Sequence, residues 1–340
     1  MIHVAGPLTV GLDVSPLVLT KAGTARYVRG LLGALPAIAD VKLRPLAFAR
    51  SGRVAAVARD VGWYPVALPR AARKQAVDVL HCTTFRAPLT NGGPAIVATF
   101  HDLAVLRLPH CFNGWSRFYA GRTLRHVARA AAALIAVSEF TRREIVELLD
   151  VPEDRIHVVP NGVGPPFTAE GPAAQGDYVL AVSTLEPRKN LTRLAQAFEL
   201  ARLSGCELRV VGSSGWGDVD LTGTSGRRLG EVTDDELAAL YRGARCVAYV
   251  SLYEGFGLPV LEAMACGAPV VTSTAEALRE LGGDAVVTVD PLDPDAIASG
   301  LEQAVQRGEE LRARGLERAR EFTWQRTAER TAAVYQTVAA

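Results

Sequence analysis

The chain has 340 residues, enough for two domains, and its 49% hydrophobic content can fill two cores. A net charge of +1 excludes a global electrostatic pull toward nucleic acid or an anionic membrane. Five cysteines (Cys82, Cys111, Cys206, Cys246, Cys266) with no Cys-x-x-Cys, no basic-then-apolar leader and no membrane-length apolar run predict a cytoplasmic protein with free thiols.

Leu8–Val14 reads as a first strand ending at Asp13. Lys21-Ala22-Gly23-Thr24-Ala25-Arg26-Tyr27 reads as a glycine-bearing loop entering a helix through Leu32. Open α/β sheets bind ligands at such connections, although an ordinary βα loop is the plainer account. No G-x-G-x-x-G fingerprint is present, which argues against a dinucleotide site. Val41–Phe48, Val77–Leu80, Ala95–Phe100 and Ala133–Val137 read as buried parallel strands. Their alternation with helical stretches predicts a doubly wound sheet. His101-Asp102 ends the Ala95 run, where a histidine serves either a ligand or the strand's own backbone. His3, His81, His110, His126 and His157 lack ligand-like spacing and read as structural or exposed. In the expected helix Trp115–Ala132, Arg122, Arg125, His126 and Arg129 share one face. A solvated face explains them, with an anionic lipid surface or phosphorylated acceptor as the other reading. Ser138 caps the helix that follows. Ile156–Val159 is a further strand, and the Pro/Gly-rich residues 164–176 read as an interdomain linker.

The alternation restarts with the strand Tyr178–Val182. Arg188 and Lys189 follow it at a strand-to-helix turn, where adjacent cations attract a diphosphate or simply face solvent. After the strand Leu208–Gly212, Asp218-Val219-Asp220 spells an Asp-x-Asp but reads as a solvent loop, not a metal site. Thr233-Asp234-Asp235-Glu236 is a capping box opening a helix through Tyr241. Cys246–Val250 is a buried strand. The loop after it carries Gly255 and Gly257, and Pro259 takes the expected first helical position. Free N–H groups at such a turn form an anion site, flanked here by Glu254 and Glu262. Carboxylates there suit sugar diols, while a surface loop with one helix-stabilising Glu is an equal reading. Ala285–Val289 is the last strand, two helices span roughly 293–322, and Trp324–Val338 is amphipathic at helical spacing.

The stretch Glu254-Gly255-Phe256-Gly257-Leu258-Pro259-Val260-Leu261-Glu262, continued by Ala263-Met264-Ala265-Cys266-Gly267-Ala268-Pro269-Val270-Val271, resembles the signature of glycosyltransferase family 4. Glu186-Pro187-Arg188-Lys189-Asn190 is similar to a second motif of that family. Gly212 to Trp216, the pattern from Gly230 through Val232 to Tyr241, His101-Asp102 and Ser138 to Thr141 match further positions. The N-terminal loop departs from the family with Ala22 and Ala25 where glycines are common.

The resemblance implies a GT-B fold, in which two Rossmann-like doubly wound parallel-sheet domains face a cleft. The implied division is 1–165 for the acceptor, 166–322 for the nucleotide sugar, and a terminal helix 323–340 returning to the first domain. It implies a retaining, metal-independent hexosyltransferase, with a mannose-type sugar favoured. GDP-sugar is the favoured donor and UDP-sugar the alternative, and there is no separate cofactor. His101 and Glu254 would position the sugar, and Arg188 and Lys189 would clamp the diphosphate. Glu262 would hold the ribose. Gly255, Phe256, Gly257, Leu258, Val260, Val232 and Gly212 would line the donor site. Asp13, Gly23, Thr24, Arg26 and Asp102 would serve a phosphate or acceptor loop. The acceptor would be a glycan, a lipid-linked intermediate or a small molecule, with membrane contact at most peripheral at the inner face. A GT-B epimerase and a non-catalytic nucleotide-sugar-binding protein are the alternatives.

Overall fold

A computed structural model of the chain describes residues 6–19, 23–50, 52–90, 92–213, 215 and 226–339. Residues 1–162 and 324–340 form one compact unit and 163–323 a second. The first unit contains β1 (Leu8–Asp13), β2 (Val41–Leu46), β3 (Val79–Cys82), β4 (Ala95–Phe100), β5 (Ala133–Ala136) and β6 (Ile156–Val158). All pairings are parallel, in the order β2-β1-β3-β4-β5-β6. The second unit contains β7 (Tyr178–Val182), β8 (Glu207–Val211), β9 (Gly226–Gly230), β10 (Cys246–Tyr249), β11 (Val270–Ser273) and β12 (Val287–Val289). It is also parallel throughout, in the order β12-β11-β10-β7-β8-β9. Two doubly wound parallel sheets of this kind constitute the GT-B fold.

Alternation along each strand supplies both faces of the first sheet. Val79, Val97, Ala133 and Ile135 join the core that includes Tyr27, Leu31 and Tyr335, while Leu80, Ile96, Ala98 and Leu134 join the core that includes Leu124, Val127 and Ile145. Helices therefore cover both faces, as a parallel sheet requires. The strand order reverses between β1 and β3 in the first unit and between β7 and β10 in the second. Loops leaving these neighbours diverge and open a crevice at the carboxyl ends of the strands.

Several boundaries differ from the sequence expectations. Gly23, Thr24 and Arg26 open the helix Gly23–Ala34 instead of forming a loop. Helical segments Arg53–Ala58, Arg59–Ala67 and Leu68–Lys74 cover a stretch with no clear periodicity. β9 is a strand although its sequence has no apolar run. It is an edge strand whose Arg227 and Arg228 are exposed, and polar residues are what a sheet edge tolerates. The expected linker is held on the second unit. Phe167 packs edge-on against Tyr241, and Arg242 donates to the carbonyls of Pro166, Thr168 and Pro172. Pro259 is the second helical residue, not the first. His3, Lys21, Ala22, Ser214, Trp216 and the Asp218-Val219-Asp220 triplet lie outside the described residues.

Other local readings match. Ser138 accepts from the Thr141 N–H, and Thr233 and Glu236 form a reciprocal capping box. Arg122, Arg125, His126 and Arg129 are exposed on the helix Gly114–Ala130. All five cysteines are free. Among the described residues no helix is long and apolar enough to cross a membrane.

The terminal helix Trp324–Ala339 packs in the first unit through Ala328, Ala332, Val334 and Tyr335. A Cβ on Gly30 would lie 2.2 Å from the Trp324 indole. Gly30→Ala is therefore expected to destabilise the protein by about 1–3 kcal/mol, the cost of overpacking. Helix propensity alone predicts the opposite, a gain of about 0.5–1 kcal/mol. The sign of the shift in chemical denaturation decides between them.

Candidate active site

Arg188 and Lys189 follow β7 and Glu254, Gly255, Phe256 and Gly257 follow β10, so these residues meet at the carboxyl ends of the two strands at the switch point of the second sheet. After β7 the chain makes a short 3-10 turn, Pro187–Lys189. Asn190 follows in a left-handed conformation (φ 60°), which asparagine tolerates better than most residues. Its side-chain amide donates to the carbonyls of Val250 (3.1 Å) and Pro291 (2.7 Å). The Leu252 N–H donates to the Arg188 carbonyl at 2.8 Å. These bonds fasten the loop after β7 to the loop after β10.

The fastening brings four charges together. Lys189 Nζ lies 2.6 Å from Glu254 Oε1 and donates to the Tyr249 hydroxyl at 2.9 Å. Arg188 pairs with Glu186 at 2.9 Å, donates to the Tyr253 carbonyl at 3.2 Å, and places Nη1 3.4 Å from Glu254 Oε2. Lys189 and Glu254 are both buried. Burial by itself would raise the Glu254 pKa, but the charges of Lys189 and Arg188 outweigh it and hold the carboxyl at about 2. Burial lowers the Lys189 pKa, against the pull of Glu254. Glu254 is thus a carboxylate at neutral pH and a weak base. It can accept hydrogen bonds, whereas proton abstraction and proton donation are poorly matched to it.

Glu254 contributes stability that is complete above the unfolded carboxyl pKa near 4.5 and lost as pH falls toward 2. Glu254→Gln should therefore flatten the acid limb of a stability–pH curve between about pH 4.5 and 2. An unchanged limb would contradict the ion pair.

The loop after β10 then enters the helix Leu258–Ala265. Gly257 has φ +104°, and a Cβ there would stand 2.5 Å from Leu278 Cδ2. The Val260 N–H donates to the Gly257 carbonyl at 2.9 Å. The Val260 N–H is thus engaged within the first helical turn. Pro259 has no N–H, so Leu258 supplies the donor at this end of the helix. Gly255 and Phe256 belong to the same loop, with Phe256 buried edge-on against Phe322. Glu262 is buried one turn further on and accepts from the Tyr241 hydroxyl at 3.2 Å. Gly267 (φ +75°) ends this helix, donating to Met264 while Ala268 donates to Ala263.

Gly212 and Val232 lie further along the second sheet. At Gly212 (φ +147°) a Cβ would meet the Ser183 carbonyl oxygen at 1.9 Å, so this glycine serves the close approach of two backbones. Val232 is half-buried in the turn before the capping box.

The remaining candidates belong to the first unit. His101 follows β4, and its Nε2 lies 2.9 Å from the Thr83 carbonyl. A carbonyl only accepts, so Nε2 carries the proton and Nδ1 is the bare nitrogen of a neutral ring. Burial lowers the His101 pKa and favours this neutral form. Asp102 precedes the next helical turn and accepts from the Ala104 N–H at 3.1 Å. Asp13 is fully buried and bound to the Ser15 hydroxyl and N–H and to the Tyr64 hydroxyl. Its carboxyl group ties the end of β1 to the loop at Ser15 and to the helix carrying Tyr64. Gly23, Thr24 and Arg26 are half-buried in the first turn of their helix.

Sequence reasoning quoted Glu186 and Asn190 within a motif but gave them no role, and it passed over Tyr249. Asn190 carried a readable signal, since asparagine after a turn often marks a left-handed residue. Tyr249 sits within a buried-strand pattern and carried none.

Comparison with known proteins places these observations in a family. A profile described as "Glycosyl transferases group 1" matches residues 167–322, and one described as "Glycosyltransferase Family 4" matches residues 22–165. The O-antigen chain mannosyltransferase B of Escherichia coli is 36% identical over 265 residues, covering 71% of this chain and 70% of that protein. The serotype-specific mannosyltransferase WbdA of E. coli is 28% identical over 281 residues, 72% of this chain but only 34% of that longer protein. Among solved structures, sucrose-phosphate synthase from Thermosynechococcus elongatus superposes with a TM-score of 0.80 at 17% identity, covering 97% of this chain and 98% of that one.

Proposed function

The chain belongs to glycosyltransferase family 4, and on that premise we propose that it moves a hexosyl group from a nucleoside diphosphate sugar to an acceptor hydroxyl, with retention at the anomeric carbon. The observation that carries this reading is the cluster of Arg188, Lys189 and Glu254 beside the helix that begins at Leu258. A buried lysine, a half-buried arginine and a helix N-terminus suit a diphosphate, and they gain strength as charge develops on the leaving oxygen. The same fixed charges are the reason to propose a reaction independent of metal. Glu254 is held anionic beside them and would accept hydrogen bonds from donor-sugar hydroxyls. A front-face displacement, in which the departing phosphate helps deprotonate the acceptor, is the favoured route, with Glu254 as hydrogen-bond acceptor and not as nucleophile. Glu262 is assigned to the ribose and His101 to the transfer step.

Mannose is the favoured sugar and a GDP-sugar the favoured donor, with a UDP-sugar second. The mannosyltransferase names of the relatives support the first preference. A growing glycan is the favoured acceptor, ahead of a lipid-linked or small-molecule one, and the cytoplasm the favoured compartment. The test is a thermal-shift panel of GDP, UDP, ADP, dTDP and NAD with and without magnesium. A ligand bound only by the native state raises apparent stability. A magnesium-independent shift with one nucleoside diphosphate would support the assignment and name the base. A shift confined to NAD, or one that needs magnesium, would overturn it.

A further inference from the structure

One face of the first sheet carries a chain of polar groups where its neighbours are apolar. Strand alternation puts His81 and Thr99 on the same side as Val79 and Val97. His81 Nε2 lies 2.8 Å from Thr99 Oγ1, and Nδ1 lies 2.7 Å from the Tyr335 hydroxyl in the terminal helix. Thr99 Oγ1 shares a further 3.0 Å hydrogen bond with the Tyr27 hydroxyl. All four residues are fully buried. The Tyr27 ring stands edge-on to the His101 ring, with centroids 4.9 Å apart at 81°. His101 is held in turn by the Thr83 carbonyl, and the Thr83 hydroxyl donates to the Asp13 carbonyl at 2.7 Å.

Burial holds His81 neutral, with a pKa of about 3. A neutral imidazole has one donor and one acceptor, so the role each nitrogen takes toward one partner dictates the role left for the other. Removing the Tyr335 hydroxyl would orphan Nδ1 in a dry interior and free the ring to change tautomer or rotamer. Thr99 and Tyr27 depend on the same bonds and would relax with it. The last member, Tyr27, forms the wall against which His101 packs.

We propose that Tyr335 is a positioning residue for His101, acting through His81, Thr99 and Tyr27. The terminal helix thereby sets the orientation of an imidazole with which it shares no hydrogen bond. The catalytic consequence rests on the reading of His101 given above, whereas the coupling itself does not.

The test is Tyr335→Phe, which keeps the ring and removes only the hydroxyl. A drop of about tenfold in kcat is expected, with the donor KM unchanged. The nitrogen-15 resonances of the His101 ring should move from a single Nε2–H tautomer toward a mixture. Tyr27→Phe should do the same while leaving the His81–Tyr335 bond in place, and it serves if Tyr335→Phe does not fold. Adding Tyr335→Phe to His101→Ala should cause no further loss. A folded Tyr335→Phe protein with unchanged kcat and unchanged His101 resonances overturns the inference. If the resonances move but His101→Ala keeps full turnover, the coupling stands and the catalytic reading of His101 is what fails.

Discussion

Lys189→Ala is expected to lower kcat by about 100- to 1,000-fold, the usual effect of removing one preorganised group that stabilises developing charge. It is also expected to cost about 3–5 kcal/mol of stability, because it leaves a buried carboxylate without its partner. The two effects have separate origins and can be separated. Once Lys189 is gone, Glu254 loses its 2.6 Å ion pair and its cationic neighbour is Arg188 at the longer 3.4 Å, with the Ser251 and Tyr249 hydroxyls beside it. Adding Glu254→Gln to Lys189→Ala removes the stranded charge and should restore most of the stability, while activity stays low. Denaturant melts of the two single variants and the double variant give the coupling, and steady-state kinetics give the loss of turnover. Full turnover with an unchanged donor KM would remove Lys189 from the diphosphate. Additive stabilities would mean that the 2.6 Å contact contributes nothing.

Gly257→Ala should weaken nucleoside diphosphate binding by about tenfold or more, since a shift of the helix start takes the Leu258 N–H away from the anion. Two penalties act together at this position. The backbone sits at φ +104°, where an L side chain is strained by about 1–3 kcal/mol. The new methyl group would also overlap Cδ2 of Leu278, a fully buried side chain that must shift to admit it. Gly283→Ala is the matched control. Its φ is +54° and a Cβ there meets nothing within 4 Å, so it carries the strain without the overlap. Calorimetric titration of both variants with a nucleoside diphosphate should separate them. Equal affinity in Gly257→Ala, Gly283→Ala and the parent would show that the helix start does not meet the ligand.

Both predictions rest on neighbours that the sequence brought into view only in part. Local pattern made the two alternating halves and most strands legible, because a buried parallel strand must be apolar on both faces, as Tyr178–Val182 and Cys246–Tyr249 are. The glycine-bearing turn before Leu258, the capping box at Thr233 and the cap at Ser138 were legible for the same reason, since each satisfies backbone groups within a few residues. The family motifs singled out Arg188, Lys189, Glu254 and Glu262 as residues to watch.

Tertiary structure alone decided what those residues do to one another. Lys189 and Glu254 are 65 positions apart, and only the order β10-β7 makes them an ion pair. That pairing turns a solvent-facing possibility into a buried carboxylate held at about 2. The edge strand β9 escaped notice because an edge needs no apolar run, and the hydrogen bond from the Val260 N–H back to Gly257 belongs to the folded turn and to no sequence pattern. His81 looked like any isolated histidine until Tyr335, 254 positions away, came within 2.7 Å of it. A strand or a cap follows from what lies within a few residues of it, whereas charge pairing, burial and tautomer depend on which distant segments the sheet order makes neighbours.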